Sequence, residues 1–77
     1  MTDSEECIAF VQYKKDWGNQ FPGLSDTGLF RIYRSMDLEN RLEFLEEAKR
    51  NGNYNTISKD FKKAEKSYKQ WKQEYLS

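Results

Sequence analysis

The single cysteine, Cys7, carries the only thiol in the chain, and its neighbours limit the chemistry it could perform. A nucleophilic cysteine needs a base and an electropositive setting, whereas Cys7 follows Glu5 and Glu6, whose carboxylates would raise the pKa of the thiol. The chain also has no histidine, so the commonest general base and the commonest metal ligand are both missing. We therefore predict that Cys7 is a small buried hydrophobe and that the protein is not an enzyme.

Carboxylates are the second group of side chains that could bind a ligand. Four of them lie close together in the chain: Glu39, Glu43, Glu46 and Glu47. This segment lacks the loop of alternating ligands around a central glycine that calcium sites use, and no glycine-rich phosphate loop occurs elsewhere. We therefore predict neither a metal nor a cofactor, and we expect the glutamates to form a charged helix face.

Charge is separated along the chain although the formal net charge is zero. Residues 1–48 hold five basic and ten acidic side chains, whereas residues 49–77 hold eight basic and three acidic ones. Four of the basic side chains recur at helical spacing near the end of the chain: Lys59, Lys62, Lys66 and Lys69. On the helices predicted below, these lysines and the four glutamates lie opposite apolar stripes, so both charged faces should point away from the core.

The two charged faces admit three interpretations. They could be solvated surfaces, on which pairs such as Glu65–Lys69 add roughly a few tenths of a kcal/mol each. They could instead be recognition surfaces, the lysines for an acidic partner or nucleic acid and the glutamates for a basic protein partner. Head-to-tail self-association through both faces is the third interpretation, and such a homo-oligomer would weaken with added salt.

Composition and apolar spacing predict an all-α fold. The large aliphatic residues and phenylalanine are few, but twelve aromatic residues and the zero net charge favour a folded domain over a disordered chain. A chain of 77 residues has room for one core. We predict a small compact bundle of three to four helices in a single domain over residues 1–77, with helices at about 4–17, 26–36, 38–50 and 56–75.

Each predicted helix has one apolar face. In the first helix it comprises Phe10, Tyr13 and Trp17, and in the third it comprises Leu38, Leu42 and Leu45. The last helix has the most regular pattern, with steps of three and four residues along Ile57, Phe61, Ala64, Tyr68, Trp71 and Tyr75. We expect this aromatic seam to pack against the apolar faces of the first and third helices.

The segment 38–75 resembles the helix-turn-helix region of transposase- or excisionase-type proteins. The resemblance covers a first turn at Asn51-Gly52, a short helix with Ile57 and Phe61, and a recognition helix with Tyr68, Trp71 and Tyr75. It implies binding of nucleic acid, in which lysines would contact phosphates rather than read bases.

Two positions depart from that pattern and leave a second interpretation open. The tight turn after Phe61 should hold a glycine and then an apolar residue, but Lys62 and Lys63 stand there. A continuous amphipathic helix over 56–75 accounts for the same apolar positions without a turn. The pI of about 6.3 is also lower than is typical of a DNA-binding domain.

Trp17 and Phe21 stand at the edge of a loop over residues 18–25, which contains the single proline of the chain. Aromatic residues dominate interface hot spots, so this pair could anchor a protein-binding patch. In a chain this small they could equally cap the core, which is the interpretation we favour.

The remaining predictions concern location and function. No apolar stretch is long enough to span a bilayer, acidic residues occupy the place where a signal peptide carries basic ones, and no lipidation pattern occurs, so we expect a cytoplasmic protein with no membrane partner. We predict a small non-enzymatic regulator or inhibitor that docks on a larger macromolecule. Its size, charge and aromatic content are typical of accessory proteins of phages or mobile elements. The alternative is a nucleic-acid-binding protein that uses the lysines.

Overall fold

Five α-helices form the protein in the computed structural model, which describes residues 1–76. They are α1 (Asp3–Trp17), α2 (Asp26–Arg34), α3 (Leu38–Arg50), α4 (Asn53–Lys59) and α5 (Phe61–Leu76), with a short 3-10 turn (Gly18–Gln20) after α1. No strand occurs in this described part of the chain. The all-α prediction is confirmed, but the bundle has five helices instead of three to four because the predicted last helix is divided.

Side-chain caps explain where the first two helices begin. Thr2 Oγ1 accepts a hydrogen bond from the Glu5 amide (3.1 Å), and the Glu5 carboxylate accepts one from the Thr2 amide (2.9 Å). This capping box satisfies amide groups that the first turn of a helix leaves free. Ser25 caps α2 in the same manner, since its hydroxyl accepts a hydrogen bond from the Gly28 amide (3.3 Å).

The single helix predicted over 56–75 is wrong, because the chain forms two helices that meet at Asp60. The Asp60 amide donates to the carbonyl of Ile57 (3.1 Å), which closes α4, and the Asp60 carbonyl accepts from the amides of Lys63 and Ala64, which opens α5. A helix-turn-helix motif joins its helices by a turn of about three to four residues. Here one residue joins α4 to α5, and Phe61 begins α5 instead of lying on the short helix.

Aromatic side chains fill the core, as the composition predicted. Phe10 is fully buried, and its ring centroid lies 5.2 Å from that of Phe30, 5.2 Å from that of Trp71 and 5.7 Å from that of Tyr33, all edge to face. Such pairs stabilise a core beyond the area that they bury. The core therefore joins α1, α2 and α5 through one cluster of rings.

The predicted packing of the aromatic seam against Leu38, Leu42 and Leu45 is wrong. The last helix α5 packs chiefly against α2, while α3 lies along α1. Of the three leucines only Leu45 is buried, whereas Leu38 is 50% and Leu42 37% exposed. The inward face of α3 therefore lies around Leu45 and Ala48 and includes the partly buried Arg41 and Phe44.

A buried ion pair explains why Arg41 turns inward. The carboxylate oxygen Glu6 Oε1 lies 3.1 Å from Arg34 Nη1 and 3.2 Å from Arg41 Nε, and the Glu6 side chain is only 7% exposed. Arg41 Nη1 also donates to the carbonyls of Arg34 and Met36, both at 3.0 Å. Because a helix leaves its last carbonyls without intrahelical partners, Arg41 both neutralises Glu6 and caps the end of α2.

Candidate protein-docking surface

An apolar groove opens to solvent between the end of α1, α2 and α3. Its volume is about 360 Å³, and its lining consists of Tyr13, Trp17, Phe21, Ile32, Met36, Asn40, Glu43 and Phe44. Two pairs of these residues stand four positions apart on one helix each, Tyr13 and Trp17 on α1 and Asn40 and Phe44 on α3, so both members of a pair project from the same helix face. Ile32 lies on α2 and Met36 follows the end of that helix. These side chains converge on one groove because α1 packs against both other helices.

Trp17 and Phe21 lie at the groove with much of their surface exposed. Trp17 is 46% and Phe21 38% exposed. Trp17 ends α1, and Phe21 follows the 3-10 turn that comes directly after it. The Phe21 amide donates to the carbonyl of Gly18 (3.3 Å), and its own carbonyl accepts from the amide of Leu24 (3.1 Å). These bonds turn the chain back and bring Phe21 to the same groove as Trp17. The expectation that the two rings cap the core is therefore wrong.

The predicted glutamates stand beside this groove on α3. Glu43 lines the groove itself, and Glu39 and Glu46 border a neighbouring depression together with Glu43 and the exposed Leu42. All three carboxylates are exposed to solvent. We call these three residues with Leu42 the acidic face of α3.

Glu47 differs from the other three glutamates because it faces α1. A hydrogen bond to the Asp16 carboxyl raises the pKa of Glu47, and partial burial and the negative charge of Asp16 act in the same direction, while Arg50 opposes them. Asp16 in turn accepts a hydrogen bond from Gln12 Nε2 (3.1 Å). Two carboxyl groups thus share one site at the border of the groove.

Asp16→Asn should lower the pKa of Glu47 towards its ordinary range, because it removes the neighbouring carboxylate but keeps the oxygen that accepts from Gln12. A carboxyl group whose pKa is raised by folding stabilises the fold below its unfolded pKa, and that stabilisation is lost as the pH rises through the folded pKa. The variant should therefore be more stable at pH 7 by roughly a few tenths of a kcal/mol, the usual size of an exposed charge effect.

The measurement is an NMR titration of the Glu47 carboxyl carbon, combined with urea unfolding at pH 7 and pH 4. The gain in stability of Asp16→Asn should be present at pH 7 and smaller at pH 4. An unchanged midpoint for Glu47 in the variant would show that the two carboxyl groups are independent.

The predicted lysines are only partly brought together. Lys62, Lys66 and Lys69 border one shallow depression on α5, whereas Lys59 ends α4 and takes no part in it. All four side chains are exposed. Lys69 Nζ lies 3.2 Å from Glu65, so one of the three α5 lysines already has an acidic neighbour.

Cys7 lies in the core, away from any groove. Its side chain is completely buried, and burial raises the pKa of the thiol to about 11. The physical cause is loss of solvation rather than the neighbouring carboxylates, one of which, Glu6, is paired with two arginines. The thiol is therefore both inaccessible and protonated at neutral pH.

Five residues of the groove were not predicted as site residues: Tyr13, Ile32, Met36, Asn40 and Phe44. Ile32 and Met36 are only partly buried, and both pack against the core while they line the groove. Tyr13 was expected in the core and does lie there, yet one side of it lines the groove. Its hydroxyl has no hydrogen-bond partner within residues 1–76.

Comparisons with known proteins add no information about function. No protein-family model matches the chain, and no curated protein or solved structure is significantly similar to it. Over the residues that the structure describes, no three metal-ligating side chains converge. No helix in the same range is both long and apolar enough to cross a membrane.

Proposed function

We propose that the protein is a small non-enzymatic regulator or inhibitor that docks on a larger protein through the apolar groove. The observation that carries this proposal is that two large aromatic side chains, Trp17 and Phe21, are exposed at a groove whose lining is mainly apolar. Exposed apolar surface of this kind marks interaction sites in proteins that are otherwise well packed. Tryptophan is also among the residues that contribute most to binding free energy at interfaces.

The chemistry of the surface supports docking rather than catalysis. Besides the Tyr13 hydroxyl, the polar side chains of the groove are Asn40 and Glu43, and no basic side chain, cysteine, serine or threonine lies in the groove lining. An apolar groove with aromatic residues at its mouth excludes water from a partner side chain that enters it, which is the arrangement of an interface hot spot. A regulator of this size would then act by covering or positioning a surface of its partner.

Affinity capture from the producing cell tests the proposal. We expect the tagged protein to retain one partner in stoichiometric amount and Trp17→Ala to lose it, because the alanine removes the largest ring of the groove. The matched variant Lys66→Ala, on the far helix α5, should retain the same partner. Both variants should give the helical circular dichroism of the parent chain.

Two results would contradict docking through the groove. The first is a partner that Trp17→Ala captures as well as the parent does. The second is the absence of any stoichiometric partner, with self-association at high concentration as the only interaction.

Nucleic-acid binding is the second candidate, and the grouping of three exposed lysines on α5 favours it. Lys62, Lys66 and Lys69 would contact three phosphates, so the logarithm of the affinity for duplex DNA should fall with the logarithm of salt concentration with a slope of about −2.7. Charge reversal of the three lysines to glutamate should abolish the binding with the fold intact. If no DNA or RNA is retarded at low salt, this candidate is excluded.

A further inference from the structure

The charges beside the groove point to the chemistry of its occupant. We infer that the groove receives an amphipathic helix of the partner, whose apolar stripe enters the groove and whose lysines or arginines contact the acidic face of α3. The inference rests on the proposed docking function and adds to it the conformation and the charge of the bound segment.

The carboxylates of the acidic face are available to a partner. Glu39 and Glu43 make no ion pair with any residue between 1 and 76, and Glu46 makes one exposed pair, at 3.4 Å to Lys49. On the same helix, Arg41 is turned inward to the buried Glu6, whereas Arg50 borders the same depression as the three glutamates. The three carboxylates outnumber the two cations beside them, Lys49 and Arg50, so the excess charge next to the groove is negative and a basic segment would meet a complementary potential.

The spacing of the acidic face fits a helix. Glu39, Glu43 and Glu46 follow one another at about one helical turn, so basic residues three to four positions apart on a partner helix can lie opposite them. Helices α2 and α3 line the groove, and grooves between helices bind the apolar face of an amphipathic helix. A partner helix of about 15 residues would be roughly 22 Å long.

A second copy of the chain fits the groove less well than a separate basic helix does. The most basic helix is α5, but its apolar residues Tyr68 and Trp71 face the core. They could enter the groove of another molecule only if α5 left its own core. The lysines of α5 could reach the acidic face of a neighbour, but they would leave the groove empty.

The test is selection from a displayed library of peptides of about 15 residues with random side chains. The immobilised parent protein is the bait, and peptides that also bind Trp17→Ala are discarded. We expect the enriched peptides to carry net positive charge and apolar residues at helical spacing. For a representative peptide, the dissociation constant should rise roughly 30-fold with Trp17→Ala, the effect of a hot-spot residue.

Charge reversal separates the two parts of the inference. Glu43→Lys should lower the affinity for the basic peptide by roughly tenfold or more at low salt, because the new lysine and the basic residues of the peptide repel each other at the groove. The matched variant Lys63→Glu, a reversal of equal size at an exposed position of α5, should leave the affinity within about twofold, since it lies outside the groove.

If the enriched peptides are neutral or acidic and their binding requires Trp17, the partner segment is not a basic helix, but docking through the groove remains intact. A basic peptide that is insensitive to Glu43→Lys would overturn the basic-helix inference as well. Absence of any peptide that distinguishes the parent from Trp17→Ala would also overturn it. In each case the affinity capture from the producing cell decides separately whether the docking function stands.

Discussion

Phe10→Ala should lower the free energy of unfolding by about 3–5 kcal/mol, the range observed for removal of a large buried ring. Phe10 is fully buried, and its ring meets those of Phe30, Tyr33 and Trp71 within 5.7 Å. Alanine would remove these contacts and leave a cavity where α1, α2 and α5 meet. Since small domains are stable by about 5–15 kcal/mol in total, the variant should be close to unfolding at room temperature.

Phe21→Ala is the matched control for this substitution. The same atoms are removed, but Phe21 is 38% exposed and lies on the loop after α1, so its loss should cost less than about 1.5 kcal/mol. Urea unfolding of both variants, followed by far-ultraviolet circular dichroism, measures the difference. If Phe10→Ala were no more damaging than Phe21→Ala, the aromatic cluster would not be the core of the fold.

Glu6→Gln should be the second most damaging change, with a loss of about 3 kcal/mol. The amide cannot neutralise Arg34 and Arg41, and removal of one member of a buried ion pair typically costs about 3–5 kcal/mol. The lower end of that range applies because Arg34 is 27% exposed and can turn to water, whereas Arg41 is 14% exposed and also holds the end of α2.

A comparison with an exposed ion pair isolates the effect of burial. Lys14→Gln breaks the 2.9 Å pair with Asp26, in which both side chains are more than 40% exposed, and should cost less than about 1 kcal/mol. A double-mutant cycle of Glu6→Gln with Arg41→Gln should show a coupling energy, because the two groups share one contact. Equal unfolding midpoints for Glu6→Gln and Lys14→Gln would contradict the role assigned to Glu6.

The parts of the fold that depend on local signals were predicted well. The predicted helix starts at residues 26 and 38 coincide with those of α2 and α3. The Ser25 hydroxyl caps α2, whereas the Asp37 side chain makes no capping hydrogen bond to α3. The joint at Asp60 is not a local signal, since the spacing of Ile57, Phe61 and Ala64 continues across it. The chain bends there because α4 packs on α1 and α3, whereas α5 packs chiefly on α2.

The candidate site was harder to predict because it depends on a buried carboxylate, Glu6, and on the partly buried Arg41 that pairs with it. A polar residue is normally assigned to the surface, so the sequence favoured Leu38 and Leu42 as core residues over Arg41. The pairing of Arg41 with Glu6 reverses that choice, turns both leucines outward and leaves Phe44 beside Tyr13 at the groove. Trp17 and Phe21 were recognised as candidates, but their exposure depends on the packing of the helices and the turn after α1, which the sequence does not show.

The most direct test of the proposed docking surface is site-specific photocrosslinking in the producing cell. Benzoylphenylalanine at the position of Phe21 places a reactive ring of similar shape at the groove, and the same group at the position of Lys66 serves as the control on α5. We predict one discrete crosslinked protein from position 21 and none from position 66. Crosslinking from position 66 alone, or none from position 21, would contradict docking through the groove.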